Sequence, residues 1–116
     1  MSSIERLHTN QRMSQAVIHG DTVYLAGQVA SDTSADVAGQ TAQVLGSIDA
    51  LLAEAGSDKS RILMATIWLS DITTFGEMNG VWDAWVPAGG GPARACVESK
   101  LATPAYTVEI RVVAAR

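Results

Sequence analysis

A chain of 116 residues, 47% of them hydrophobic, has the size and apolar content of one domain built around one core. Its net charge of −4, with eight Lys and Arg scattered along the chain, offers no basic patch to a phosphate backbone, which speaks against nucleic acid as a partner. A single cysteine excludes an internal disulfide and suits a reducing compartment. The start Met1-Ser2-Ser3-Ile4-Glu5-Arg6 lacks the apolar stretch of a signal peptide, and no apolar run approaches the roughly 18 residues of a membrane span. We expect a cytoplasmic protein with no membrane partner.

In chain order, residues 4–7 read as a short strand. Residues 15–19 and 22–29 are rich in Val, Ile, Tyr and Leu, and Gly20-Asp21 between them is a two-residue hairpin signal. Gly27 interrupts the second strand of this pair, as glycine does at a bulge or where another group approaches the backbone closely. A helix is expected over 36–55, because Val37, Thr41, Val44, Leu45, Ile48, Leu51 and Leu52 recur on one helical face, with Asp36 as N-cap and Gly56 just past the C-terminus.

Residues 62–69 then form a strand that is apolar on both faces. Helices cover one face; a partner subunit is the economical cover for the other. A second helix is expected over 74–86, with Thr74 and Glu77 at capping-box spacing, a buried stripe of Phe75, Met78, Val81, Trp82 and Trp85, and Pro87 as terminator. The Gly89–Gly91 loop leads into a strand at 93–101, a turn through Thr103-Pro104, and a last strand at 106–113. The order β-ββ-α-β-α-ββ implies an α+β architecture, a mixed sheet with two helices on one face.

Arg94 is the most informative residue, because it places a guanidinium on a strand that reads as buried. Buried arginine requires a partner. Arg94, Cys96 and Glu98 share one strand face, so a salt bridge to Glu98 or Glu109 stands beside the alternative of a ligand carboxylate. For Glu109, within Thr107, Glu109 and Arg111, an ordinary half-solvated strand face stands beside a catalytic role. Cys96 has no histidine placed to activate it and reads as an inert buried thiol. His8 and His19 are isolated, so no metal-ligand spacing exists. Gly89–Gly91 lacks the Lys-Ser/Thr of a phosphate cradle and reads as a loop at a cleft edge.

Several segments fall in the order seen in one family: Ser14-Gln15-Ala16-Val17, Tyr24 to Val29, Gln40-Thr41, Met78-Asn79, Pro92-Ala93-Arg94-Ala95-Cys96-Val97-Glu98 and Val108-Glu109-Ile110. From about residue 13 to residue 114 the chain resembles the RidA/YjgF proteins, the reactive-intermediate (enamine/imine) deaminases, also named for an endoribonuclease L-PSP. The segment Asp83 to Gly89 is similar to the short YoaB-like branch. The resemblance implies a chorismate-mutase-like fold and a homotrimeric barrel, with a small carboxylate-bearing imine or keto acid bound in clefts between subunits. It implies hydrolysis of 2-aminoacrylate-type enamines and imines to 2-keto acids and ammonia, without metal or organic cofactor.

Carried over to this chain, Arg94 binds the substrate carboxylate and Glu109 serves the attacking water as general acid or base. Gly27 brings a backbone N–H to the carboxylate, the backbone carbonyl of Cys96 flanks the site, and Asn79 supports the loops of the cleft. Two positions depart from the family pattern: Met13 stands where a tyrosine is common, and Ala26 where a serine precedes the strand glycine. Both remove a hydroxyl. They keep open a non-catalytic binder or sensor of 2-keto acids on the same scaffold. A ribonuclease or translation-inhibitor role fits the acidic charge least.

Overall fold

The computed structural model describes residues 3–116. One sheet of six strands runs in the order β1-β2-β3-β6-β4-β5, where β1 is Ile4–Leu7, β2 Ala16–His19, β3 Thr22–Leu25, β4 Ile62–Leu69, β5 Ala93–Glu98 and β6 Val108–Ala115. Neighbours are antiparallel except β4 and β5, which are parallel and joined through a helix, as a parallel connection requires. The helices are α1 at Val37–Glu54 and α2 at Phe75–Trp85. The expected α+β order is therefore found.

The β2–β3 hairpin closes with His19 opposite Thr22 and Gly20 at φ 61°, the first loop position, where a two-residue loop of the II′ kind needs glycine. β3 ends at Leu25 and not at residue 29, and beyond Gly27 only Gln28 rejoins the sheet, as an isolated bridge to Ile110. The last strand begins two residues later than expected and runs on to Ala115.

Helix α1 follows its sequence signals closely. Asp36 Oδ1 accepts the N–H of Gly39 at 2.8 Å. At the other end Gly56, at φ 83°, and Ser57 return their N–H groups to the carbonyls of Ala53 and Leu52, which is a Schellman stop. All seven residues of the expected stripe are buried, among them Leu45, Ile48 and Leu52, each worth about 1.5–3 kcal/mol of burial. Gln40 is buried among them without having been anticipated. Its Nε2 donates to the carbonyls of Thr33, Ala35 and Ala105, and its Oε1 accepts from the N–H of Thr107.

Helix α2 corrects the sequence reading at its start. A 3₁₀ turn, Ile72–Thr74, precedes it, so Thr74 sits at φ −88°, ψ 8° and not in the extended conformation of an N-cap. No capping box forms, and the Thr74 hydroxyl donates to the carbonyl of Asp71 at 2.6 Å. Met78 and Trp82 are buried, Val81 and Trp85 pack against the core in part, and Phe75 is 41% exposed.

Strand pairing assigns each residue to a face, because residues directly opposite each other point the same way. Ala65 pairs with both Val112 and Arg94, and Ile67 with both Ile110 and Cys96, so Arg94 and Cys96 lie on the helix-covered face. The other face carries a row across five strands: Val17, Tyr24, Val113, Met64 and Ala93. Tyr24 and Met64 in this row are exposed, as is Val97 nearby. The second face of β4 carries Met64 and Trp68 with Thr66 between them, Arg111 Cζ lies 5.8 Å from the Trp68 ring centroid, and among the described residues no helix packs on this face.

Candidate functional site

Arg94 enters the site from the start of β5, which is a sheet edge paired only with β4. This strand was expected to run to residue 101 and to be buried; it ends at Glu98 and is mostly exposed. The reason is its edge position, with no strand on the far side. Arg94 is accordingly exposed, and the cost of burying its charge does not arise.

Its guanidinium is nonetheless held. Nη1 donates to Asn79 Oδ1 at 2.7 Å, and Cζ lies 5.2 Å from the ring centroid of Trp82 and 5.8 Å from that of Phe75. Phe75, Asn79 and Trp82 occur at i, i+4 and i+7 on α2, so one helical stripe forms the seat. Cation–π contacts of this kind contribute roughly 0.5–2 kcal/mol and orient the guanidinium plane. Neither carboxylate considered from the sequence pairs with it. Glu98 Oε2 accepts the N–H of Ile72 at 3.0 Å, and among the described residues the salt bridge found is His8–Glu54.

Glu109 lies on the opposite face of the sheet. It stands opposite Trp68, whereas Arg94 shares the helix face with Ala65 and Val112. Glu109 is half-buried, and its carboxylate folds over Gly27: a β-carbon built at Gly27 would overlap Oε2 and stand 2.9 Å from Cδ. Gly27 and Glu109 thus come together in one chain, and Arg94, Asn79 and Cys96 come together elsewhere. A single chain does not join the two groups.

The Endoribonuclease L-PSP family model matches residues 3–116. The chain belongs to this family. It is similar to the RutC family protein YoaB of Escherichia coli, 48% identical over 113 residues that cover 97% of this chain and 98% of the relative. Among solved structures it is similar to a YjgF-family protein of Neisseria meningitidis at TM-score 0.96 and 48% identity, covering 98% and 95% of the two chains. It is also similar to a putative translation initiation inhibitor of Salmonella typhimurium, at TM-score 0.90 and 47% identity, with 98% of each chain covered. The observed sheet and helix arrangement is the chorismate-mutase-like architecture.

In this L-PSP family member Ala26 adjoins Gly27 and Cys96 adjoins Arg94, while Met13 lines a crevice of its own loop. Met13 is exposed on the loop between β1 and β2, where Asn10 Oδ1 accepts the N–H groups of Arg12 and Met13 and shapes a crevice of about 400 Å³. Ala26 donates its N–H to the Gln15 carbonyl, which ties the approach to Gly27 to the start of β2. Cys96 is half-buried beside Arg94; desolvation pushes its thiol pKa up, and the nearby guanidinium pulls it down by less. Other cavities, of about 340 Å³ between α1 and α2 and about 380 Å³ beside Ser70 and Lys100, are lined by neither Arg94 nor Glu109. The sequence reading missed Phe75 and Trp82 as the seat of Arg94, taking both for core. Their spacing around Asn79 was the available signal.

Proposed function

We propose that this protein is a hydrolytic deaminase of reactive enamine and imine intermediates of the 2-aminoacrylate type, working as a homotrimer in the cytoplasm. Arg94 carries the reading. Its guanidinium is oriented by Asn79 and two aromatic rings, has no carboxylate partner among the described residues, and faces solvent. A planar guanidinium in that state is suited to a bidentate ligand carboxylate.

With the substrate carboxylate on Arg94, Glu109 takes a proton from water as the oxygen adds to the C=N carbon. It passes that proton to the imine nitrogen, giving a carbinolamine, and then moves the adduct's hydroxyl proton to the same nitrogen as the C–N bond breaks, leaving a 2-keto acid and ammonia. An enamine enters this sequence as its imine tautomer, an N–H proton having moved to the terminal carbon. Because Arg94 and Glu109 occupy opposite faces of one sheet, a substrate touching both bridges two chains. The exposed apolar row from Val17 to Ala93 is the surface by which copies would associate. No metal or organic cofactor has a part in this chemistry. An assay coupling a 2-aminoacrylate generator to keto-acid release tests the proposal, and release by Arg94→Ala as fast as by wild type would remove the clamp.

Met13 and Ala26 favour a second reading, a 2-keto acid binder without turnover, since each replaces a hydroxyl at the cleft. Saturable binding with no deamination of any imine would select it. The ribonuclease activity in the family name fits this chain least, given its net charge of −4, and salt-independent failure to retain RNA would close it.

A further inference from the structure

We propose that Phe75, with Ile72 behind it, forms an apolar subsite beside the Arg94 guanidinium, so that this cleft selects 2-keto and 2-imino acids carrying a branched or aromatic side group. The inference rests on the carboxylate-clamp reading of Arg94. Phe75 and Trp82 both face the guanidinium, but they differ in what they have left to offer a ligand. Trp82 is 4% exposed and belongs to the core, so its ring is spent on support. Phe75 is 41% exposed although it is large and apolar, and its ring centroid lies 5.8 Å from Arg94 Cζ.

Ile72, three residues earlier, is 40% exposed, and its N–H is held by Glu98 from the same face of β5 that carries Arg94. Half-buried Cys96 lies between Arg94 and Glu98 on that face and behaves as a small apolar group. The surface is therefore a guanidinium at one end of an apolar strip closed by a carboxylate. A carboxylate group on Arg94 directs the remainder of a small ligand along Phe75, where each buried methylene strengthens binding about three- to fourfold. Glu98 at the far end disfavours a second negative charge on the ligand.

Calorimetric titration of the wild-type protein with pyruvate, 2-oxobutanoate, 4-methyl-2-oxopentanoate, phenylpyruvate and 2-oxoglutarate tests this. Affinity is expected to climb with apolar size, 4-methyl-2-oxopentanoate exceeding pyruvate at least tenfold, while 2-oxoglutarate gains nothing. Phe75→Ser should collapse that ratio, and Phe75→Leu should keep most of it. A flat series in the wild type, or an undiminished ratio in Phe75→Ser, overturns the subsite and leaves the clamp standing. If no acid binds, or Arg94→Ala binds them as well as wild type, the clamp itself falls and the subsite with it.

Discussion

The carboxylate of Glu109 occupies the space that a side chain at Gly27 would fill. The glycine is used here for its missing β-carbon and not for its backbone freedom, since it is absent from the positive-φ glycines. Gly27→Ala should therefore fold normally, because the clash is with the end of a flexible side chain. It should displace the carboxylate and reduce imine turnover by about 10²–10⁴-fold, the range for losing a general acid or base, to the level of Glu109→Gln. Melting curves beside the coupled assay separate the two effects.

The uncovered face of the sheet leads to an assembly prediction. Met64 is 46% exposed in an apolar row, between Val113 and Ala93. Met64→Glu would place an unpaired charge at any interface made there, which is costly to bury. Light scattering should give about three times the 12.2 kDa chain for the wild type and one chain mass for the variant. Loss of deamination at the same time would follow if each cleft takes Arg94 and Glu109 from different copies.

Gln40 predicts a stability defect far from the cleft. Its amide serves four backbone groups, on Thr33, Ala35, Ala105 and Thr107. Gln40→Leu fills a similar volume and leaves those part-buried groups without that partner, at about 1–3 kcal/mol for each one that water does not reach. Urea melts should show a midpoint shift with little change in slope.

Cys96 is a reporter of Arg94. Desolvation raises its thiol pKa and the guanidinium opposes that rise, so the thiol stays protonated at neutral pH and alkylates slowly. Arg94→Ala removes the opposing charge. The thiol should then titrate at still higher pH, and iodoacetamide labelling at a fixed, mildly alkaline pH should slow. An unchanged rate–pH profile would mean that the two side chains do not sense each other in solution.

The parts legible in the sequence were those set by local periodicity and backbone chemistry. Helix α1 is an example: its apolar stripe, the Asp36 cap and the Gly56 stop depend on residues within a few positions of one another. The Gly20-Asp21 hairpin and the Pro87 stop are of the same kind. Thr74 had the right spacing for a capping box, but a preceding 3₁₀ turn took its hydroxyl instead. The sequence of β5 reads as a buried strand, whereas its place at the sheet edge leaves one side unpaired and most of its residues exposed.

By itself, the sequence determined the α+β order, the core of α1, the Met64 and Trp68 positions on the second face of β4 and, through the Pro92-to-Glu98 block with Glu109, the family. Tertiary structure alone decided that Arg94 and Glu109 face opposite ways. Alternation along a strand tells which residues of that strand share a face, but it carries no information about which way a neighbouring strand's residues point. That depends on register across the sheet: Ala65 opposite Arg94, Trp68 opposite Glu109. The register sends the guanidinium to α2 and the carboxylate to the opposite face, so two residues that read as partners in sequence stand on the two sides of one sheet.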